Sequence, residues 1–163
     1  ARGYKAANFH GLGTNYPAVR DILNLVVDKG KSQVKDRSRV GENFYMRGVF
    51  NSALIAEALR TAQGKYGKRV INGEEMRWGM ENMNLTPERL AEIGLPGFTN
   101  PISVSCEDHA NNGPIYIQQW NGSSWERVSG WISSMDRVRP MLENAAAQYK
   151  AKNNLSDRTI PCS

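Results

Sequence analysis

The chain is expected to fold as an α/β domain closing with an antiparallel hairpin and a helix. Three features of the sequence support this. A strand-like opening leads into a helix, and a run of helix signals with tight connections then fills the middle of the chain. Late in the chain, Asn121-Gly122 lies between two strand-like runs, which is a strong hairpin signal. The last periodic stretch, Asp136 to Lys152, returns to helix. At 163 residues the length suits one domain over 1–163, large enough to bury a proper core. The sequence shows no internal repeat, low-complexity segment or inter-domain linker.

Tyr4 to Phe9 reads as a short strand ended by His10-Gly11-Leu12-Gly13. A helix follows from Tyr16-Pro17, with proline suited to the first turn and Val19, Ile22, Leu23, Val26 and Val27 on one face. Gly30 closes it, and Lys31 to Arg39 has no periodicity and reads as a loop. The next helix runs from about Phe44 to Ala62, burying Phe50, Ala53, Leu54 and Ala58, and Gln63-Gly64 is expected to end it. Asn72 with Glu75 forms a capping-box pattern for a helix through Met83, and Thr86-Pro87 starts a short helix that Gly94 stops. Ile102 to Cys106 alternates with period two. Ile115 to Trp120 and Trp125 to Ile132 are the hairpin strands. In the last helix Val138, Met141, Leu142, Ala145 and Tyr149 fall along one face.

A hydrophobic content of 40% and a charged content of 23% are ordinary for a globular protein. No apolar run approaches the roughly 18 residues of a membrane span. The chain starts at Ala1 without an initiator Met, so either a leader was removed or this is a piece of something longer. The net charge of +5 and a pI near 9.4 raise the question of nucleic acid. The densest basic run, Lys29 to Arg39, also holds Asp28 and Asp36 at its edge and interior and lacks interleaved aromatics, so a solvated loop is expected and nucleic acid is not. Cys106 and Cys162 fit no zinc spacing. In an oxidising compartment they suit a single disulfide that pins the polar tail from Asn153; two separate buried thiols are the alternative.

No catalytic set emerges, no metal site is expected and no cofactor is implied. Cys106-Glu107-Asp108-His109 gathers ligand types, but neighbours on a strand point to opposite sides and few of the four can converge. His10 and His109 lie in no nucleophile or zinc motif. Gly11-Leu12-Gly13 lacks the third glycine of a dinucleotide turn. Glu74-Glu75 suits a helix N-terminus. Trp120, Trp125 and Trp131 read either as hairpin packing or as an aromatic platform for sugar or bases; packing is the favoured reading. The Asn43 to Arg47 entrance remains. Phe44 and Tyr45 stand at a helix mouth where capping does not need them, and the planar fork of Arg47 favours a carboxylate.

Several stretches together resemble the C-terminal part of the type I periplasmic solute-binding proteins of ABC importers, the branched-chain amino acid (LIV-type) group. Gly3-Tyr4-Lys5-Ala6-Ala7-Asn8-Phe9-His10 resembles the strand that crosses the hinge back from the second lobe. Phe44 to Ala62, with Ala56-Glu57-Ala58-Leu59, resembles the following long helix. Asn72 to Asn84 and Leu85 to Gly97 resemble the helical part before the terminal strands. Asp108-His109 through Gly113 to Gln118 and Trp120 resembles the closing hairpin. The resemblance implies a partial type I periplasmic-binding-protein (Rossmann-like) lobe. It also implies a binding role without catalysis, a periplasmic or extracytoplasmic location, a small-molecule solute and an ABC permease as partner.

The ligand contacts it implies are Phe44 or Tyr45 stacking on the solute, Arg47 and Asn43 as polar contacts, and His10 beside the hinge. Amino acid, aromatic acid and amide stay open as solutes. Most of the two-lobed cleft is expected to be missing from this chain, which leaves apolar surface exposed and favours self-association. The rival reading is a stand-alone secreted basic domain whose Trp-rich hairpin binds sugar or nucleic acid. A further rival is an enzyme built on Cys106 and His109.

Overall fold

The computed structural model describes residues 1–110, 113–133, 135–156 and 162. The chain divides into two compact units, one formed by Ala1–Phe9 with Cys106–Ser163, the other by His10–Ser105.

The first unit is built on a three-stranded antiparallel sheet in the order β1-β4-β5, from Lys5–Asn8 (β1), Tyr116–Trp120 (β4) and Trp125–Arg127 (β5). The Asn-Gly turn forms where the sequence places it. The Asn121 side-chain oxygen accepts from the Ser123 and Ser124 amides, both at 2.8 Å, and Gly122 takes a φ of +112° that side chains resist. This turn sets the register that pairs Trp120 with Trp125. Their rings meet edge to face at 5.6 Å, and Tyr4 packs on Trp125 at 6.0 Å. The hairpin tryptophans thus pack on one another. Trp131 instead packs on Tyr116, and the Arg127 guanidinium lies over both rings at 4.6 Å. The final helix, Met135–Lys152 (α5), forms as expected but buries no residue. Along its apolar face Val138, Met141, Leu142 and Tyr149 are all exposed. Cys106 and Cys162 are joined in a disulfide.

The second unit is mostly helical. Pro17–Ile22 (α1) continues into a π-turn over Leu23–Val27, and a 3-10 turn follows at Arg37–Arg39 inside the loop. Asn43–Tyr66 (α2) runs past the expected stop at Gln63-Gly64 and ends only at Gly67, whose φ is +92°. Gly64 tolerates a helix interior at a cost of about 1 kcal/mol, whereas a positive φ terminates one. Gly73–Glu81 (α3) carries the complete capping box: the Asn72 side chain accepts from the Glu75 amide and Glu75 accepts from the Asn72 amide. Thr86 caps Pro87–Glu92 (α4) by accepting from the Arg89 amide.

Of the alternating stretch from Ile102, only Ile102–Ser103 (β3) pairs, and its partner is an unexpected two-residue strand, Asn84–Leu85 (β2). Helix α3 lies so close to α2 that a Cβ on Gly79 would strike the Ala58 carbonyl and the Ala62 methyl. The core gathers Val19, Met46, Leu85, Leu90 and Phe98, each almost wholly buried. No helix among the described residues is long and apolar enough to cross a membrane.

Candidate functional site

The residues singled out at the start of α2 all lie in the second unit, and the structure sorts them into two groups. Phe44 and Tyr45 help line an open groove of about 580 Å³ along α2, shared with Ala18 and Ile22 of α1 and with Ile93 and Leu95 after α4. That volume is in the range of small-molecule sites, and the lining is mainly apolar, as such sites are. Phe44 is 86% exposed, so its ring stands open to an arriving partner. Ser52 and Glu57 add the groove's polar character.

Arg47 and His10 form the second group. The Arg47 Nε donates to His10 Nε2 at 2.8 Å. His10 Nδ1 lies 3.0 Å from the Gly11 carbonyl oxygen, which fixes the neutral tautomer carrying its proton on Nδ1. The imidazole is completely buried, stacked on Phe98 at 5.7 Å and on Phe50 at 5.9 Å. Asn43, the first residue of α2, is half-buried. The groove lining does not include Asn43, Arg47 or His10.

Burial pushes the His10 imidazole below its ordinary pKa and the Arg47 charge adds to this, while the Gly11 carbonyl opposes both. The unfolded chain takes up a proton near the ordinary histidine value of 6.5 and the folded chain only at lower pH. Stability contributed by neutral His10 is therefore complete above that value and falls as pH drops through the folded pKa. Urea midpoints between pH 7.5 and 5 are expected to fall more steeply for the wild type than for His10→Phe. Equal slopes would contradict a buried neutral imidazole.

Glu57 is the residue that sequence reading left out. It is 3% exposed, and it binds Arg89 in a bidentate pair at 2.6 and 2.9 Å and Arg60 at 2.8 Å. Burial raises its carboxyl, and the hydrogen bonds from Arg89 and Arg60 outweigh that and hold it below the usual carboxylate range. A single acid inside the apolar run Ala53-Leu54-Ile55-Ala56-Glu57-Ala58 was the available signal, since a buried charge needs partners. The Cys106–His109 cluster does not converge. Cys106 is bonded to Cys162, and Asp108 accepts from Arg139 at 2.8 Å. No group of three or more potential metal ligands occurs among the described residues.

The fold is a partial type I periplasmic-binding-protein lobe with a closing hairpin and helix. Two solved structures place it more closely. A chain described as an ABC transporter permease from the Pseudomonas fluorescens group matches over 99% of this chain at a TM-score of 0.88 and 37% identity. A branched-chain amino acid ABC transporter from Thermus thermophilus with bound valine matches over 87% at a TM-score of 0.62 and 18% identity, a likeness of fold alone. This chain spans 39% of the length of the first and 36% of the second. No family model matches the chain, and no curated protein sequence does. The chain is thus similar to parts of two chains described as belonging to ABC transporters.

Proposed function

We propose that this chain supplies part of an extracytoplasmic solute receptor of an ABC importer and catalyses no reaction. The observation that carries this reading is the likeness along almost its whole length to a chain described as part of an ABC transporter. The bound valine of the more distant neighbour points to an amino acid, or another apolar or aromatic carboxylate, as the solute. The start of α2 has an apolar surface for one: the open Phe44 ring and Tyr45 wall the groove. In this reading solute binding closes the whole receptor about its hinge and the closed form docks on a membrane permease. The disulfide is compatible with an oxidising compartment outside the cytoplasm.

Calorimetric titration with L-valine, L-phenylalanine and benzoate tests the reading. Tyr45→Ala is expected to weaken the best of these about 10- to 100-fold, the worth of one buried aromatic side chain. Trp120→Ala is expected to leave it unchanged. Loss on Trp120→Ala alone would favour the hairpin as the binding surface, and no heat with any of the three would count against a receptor for such solutes. The exposed apolar face of α5 supports self-association, and sedimentation velocity on the same sample checks it. A single monomeric species across the concentration range would remove that part.

A further inference from the structure

We infer that Glu57 and Arg89 are positioning residues for the groove: their buried pair ties α4 and the turn after it to α2, sets how far apart the groove's walls stand, and so selects the size of the apolar group it accepts. The inference rests on the receptor reading above, in which the groove takes the apolar part of the solute.

Three segments wall the groove: one face of α2, Ala18 and Ile22 of α1, and Ile93 and Leu95 after α4. The middle of the α2 face is Gly48, Ser52, Ala53 and Ala56, whose short side chains reach little way across. The room left for a solute there depends on how near the opposite walls stand. Glu57 belongs to the same lining.

The two opposite walls are joined directly to each other. The Ala18 amide donates to the Gly94 carbonyl at 3.0 Å, and a Cβ on Gly94 would stand 2.8 Å from the Ala18 nitrogen. Backbone meets backbone there, with no side chain between them to adjust.

The ion pair joins these walls to α2. Arg89 reaches from α4 and donates from Nη2 to Glu57 Oε1 at 2.6 Å and from Nε to Oε2 at 2.9 Å. Two parallel bonds fix both distance and plane, whereas a single bond lets the partners swing. Each partner is also braced within its own helix. Arg60 Nε donates to Glu57 Oε2 at 2.8 Å, and Arg89 Nη1 donates to Glu92 at 2.9 Å. The Ile93 amide donates to the Arg89 carbonyl at 3.1 Å and the Leu95 amide to the Leu90 carbonyl at 2.8 Å, so the place of Arg89 is passed on to both wall residues. Stability alone does not call for ions here, because apolar side chains of similar volume stabilise a core as well as a buried ion pair does. What the pair adds is a fixed spacing.

Glu57→Leu combined with Arg89→Met removes the fork and fills the space with side chains that need no partners, so this variant is expected to fold. Two measurements on it test the inference, and the first needs no ligand. Amide hydrogen exchange at Ile93 and Leu95 is expected to run at least about 10-fold faster than in the wild type, while the Met76 amide of α3, bonded to the Asn72 carbonyl, keeps its wild-type rate. Equal acceleration at all three amides would show a general loss of stability and overturn the inference, as would no acceleration at any.

The second measurement is calorimetry with L-valine, L-leucine, L-phenylalanine and L-tryptophan. The affinity ratio of tryptophan to valine is expected to rise at least about 10-fold in the double variant, the low end of what one methylene is worth in an apolar pocket. Glu57→Gln keeps the side-chain shape and one acceptor oxygen, and its ratio is expected to fall between the two. Should the double variant fail to fold, Arg89→Lys serves instead: it keeps the charge, offers one point of attachment in place of the fork, and is expected to shift the ratio the same way. A change by one common factor for all four amino acids overturns the positioning role and leaves the receptor reading intact. A wild type that binds none of the four, with exchange at Ile93 and Leu95 still dependent on the pair, overturns the receptor reading and the size selection with it.

Discussion

Replacing Phe98 with alanine is expected to destabilise the second unit by about 4 kcal/mol, the usual cost of deleting a buried phenylalanine ring. Phe98 is 1% exposed and is the ring on which the others converge. Tyr16 meets it edge-on at 5.1 Å, His10 stacks on it at 5.7 Å, and Phe50 lies tilted at 6.2 Å. These contacts come from three separate parts of the chain, so the cavity left by alanine cannot close by moving one side chain. Water entering it would reach His10, relieve the burial that keeps the imidazole neutral, and flatten the pH dependence of stability described above. Phe98→Leu fills most of the space and is expected to cost only about 1 kcal/mol. Urea unfolding followed by far-ultraviolet circular dichroism measures both. A loss below about 1 kcal/mol for the alanine variant would show that Phe98 is not the keystone of this core.

Opening the Cys106–Cys162 disulfide is the other large effect. The bridge joins residues 56 apart in sequence. Closing a loop of that length in the unfolded chain corresponds to about 4 kcal/mol in the chain-entropy model. Helix α5 buries no residue, and its described link back to the segment after Cys106 is the Arg139–Asp108 ion pair, which is partly exposed and adds little. Reduction, or Cys162→Ser, is expected to lower the melting temperature of the first unit by roughly 15 to 30 °C. Three of the four tryptophans, Trp120, Trp125 and Trp131, lie in that unit, so fluorescence follows its melting. Identical melts with and without reductant would show that the bridge adds nothing to stability.

Local chemistry in the sequence determined much of this protein. Asn72 and Glu75 fix the start of α3 because a capping box is an exchange between residues three apart. Pro17, Thr86 and the Asn121-Gly122 turn act at similarly short range, and the turn alone brings Trp120 opposite Trp125. Two cysteines in an oxidising setting leave one intramolecular bridge to make, and that bridge is present. The aromatic entrance at Phe44 and Tyr45 was legible as side chains that the helix start does not need.

Tertiary structure decided the rest. Strand β2 is two residues long, with no periodicity of its own, and exists because β3 arrives beside it. Helix α2 passes through Gly64 and stops at Gly67, where the backbone turns left-handed. The groove is an arrangement of α1, α2 and the residues after α4 that no one segment encodes. The pairs that matter most at the site span long separations, 37 residues between His10 and Arg47 and 32 between Glu57 and Arg89. A histidine or a glutamate carries no mark in sequence of which distant arginine it will meet. Burial selects that partner, because a polar group withdrawn from water must find its hydrogen bonds in whatever the fold places beside it.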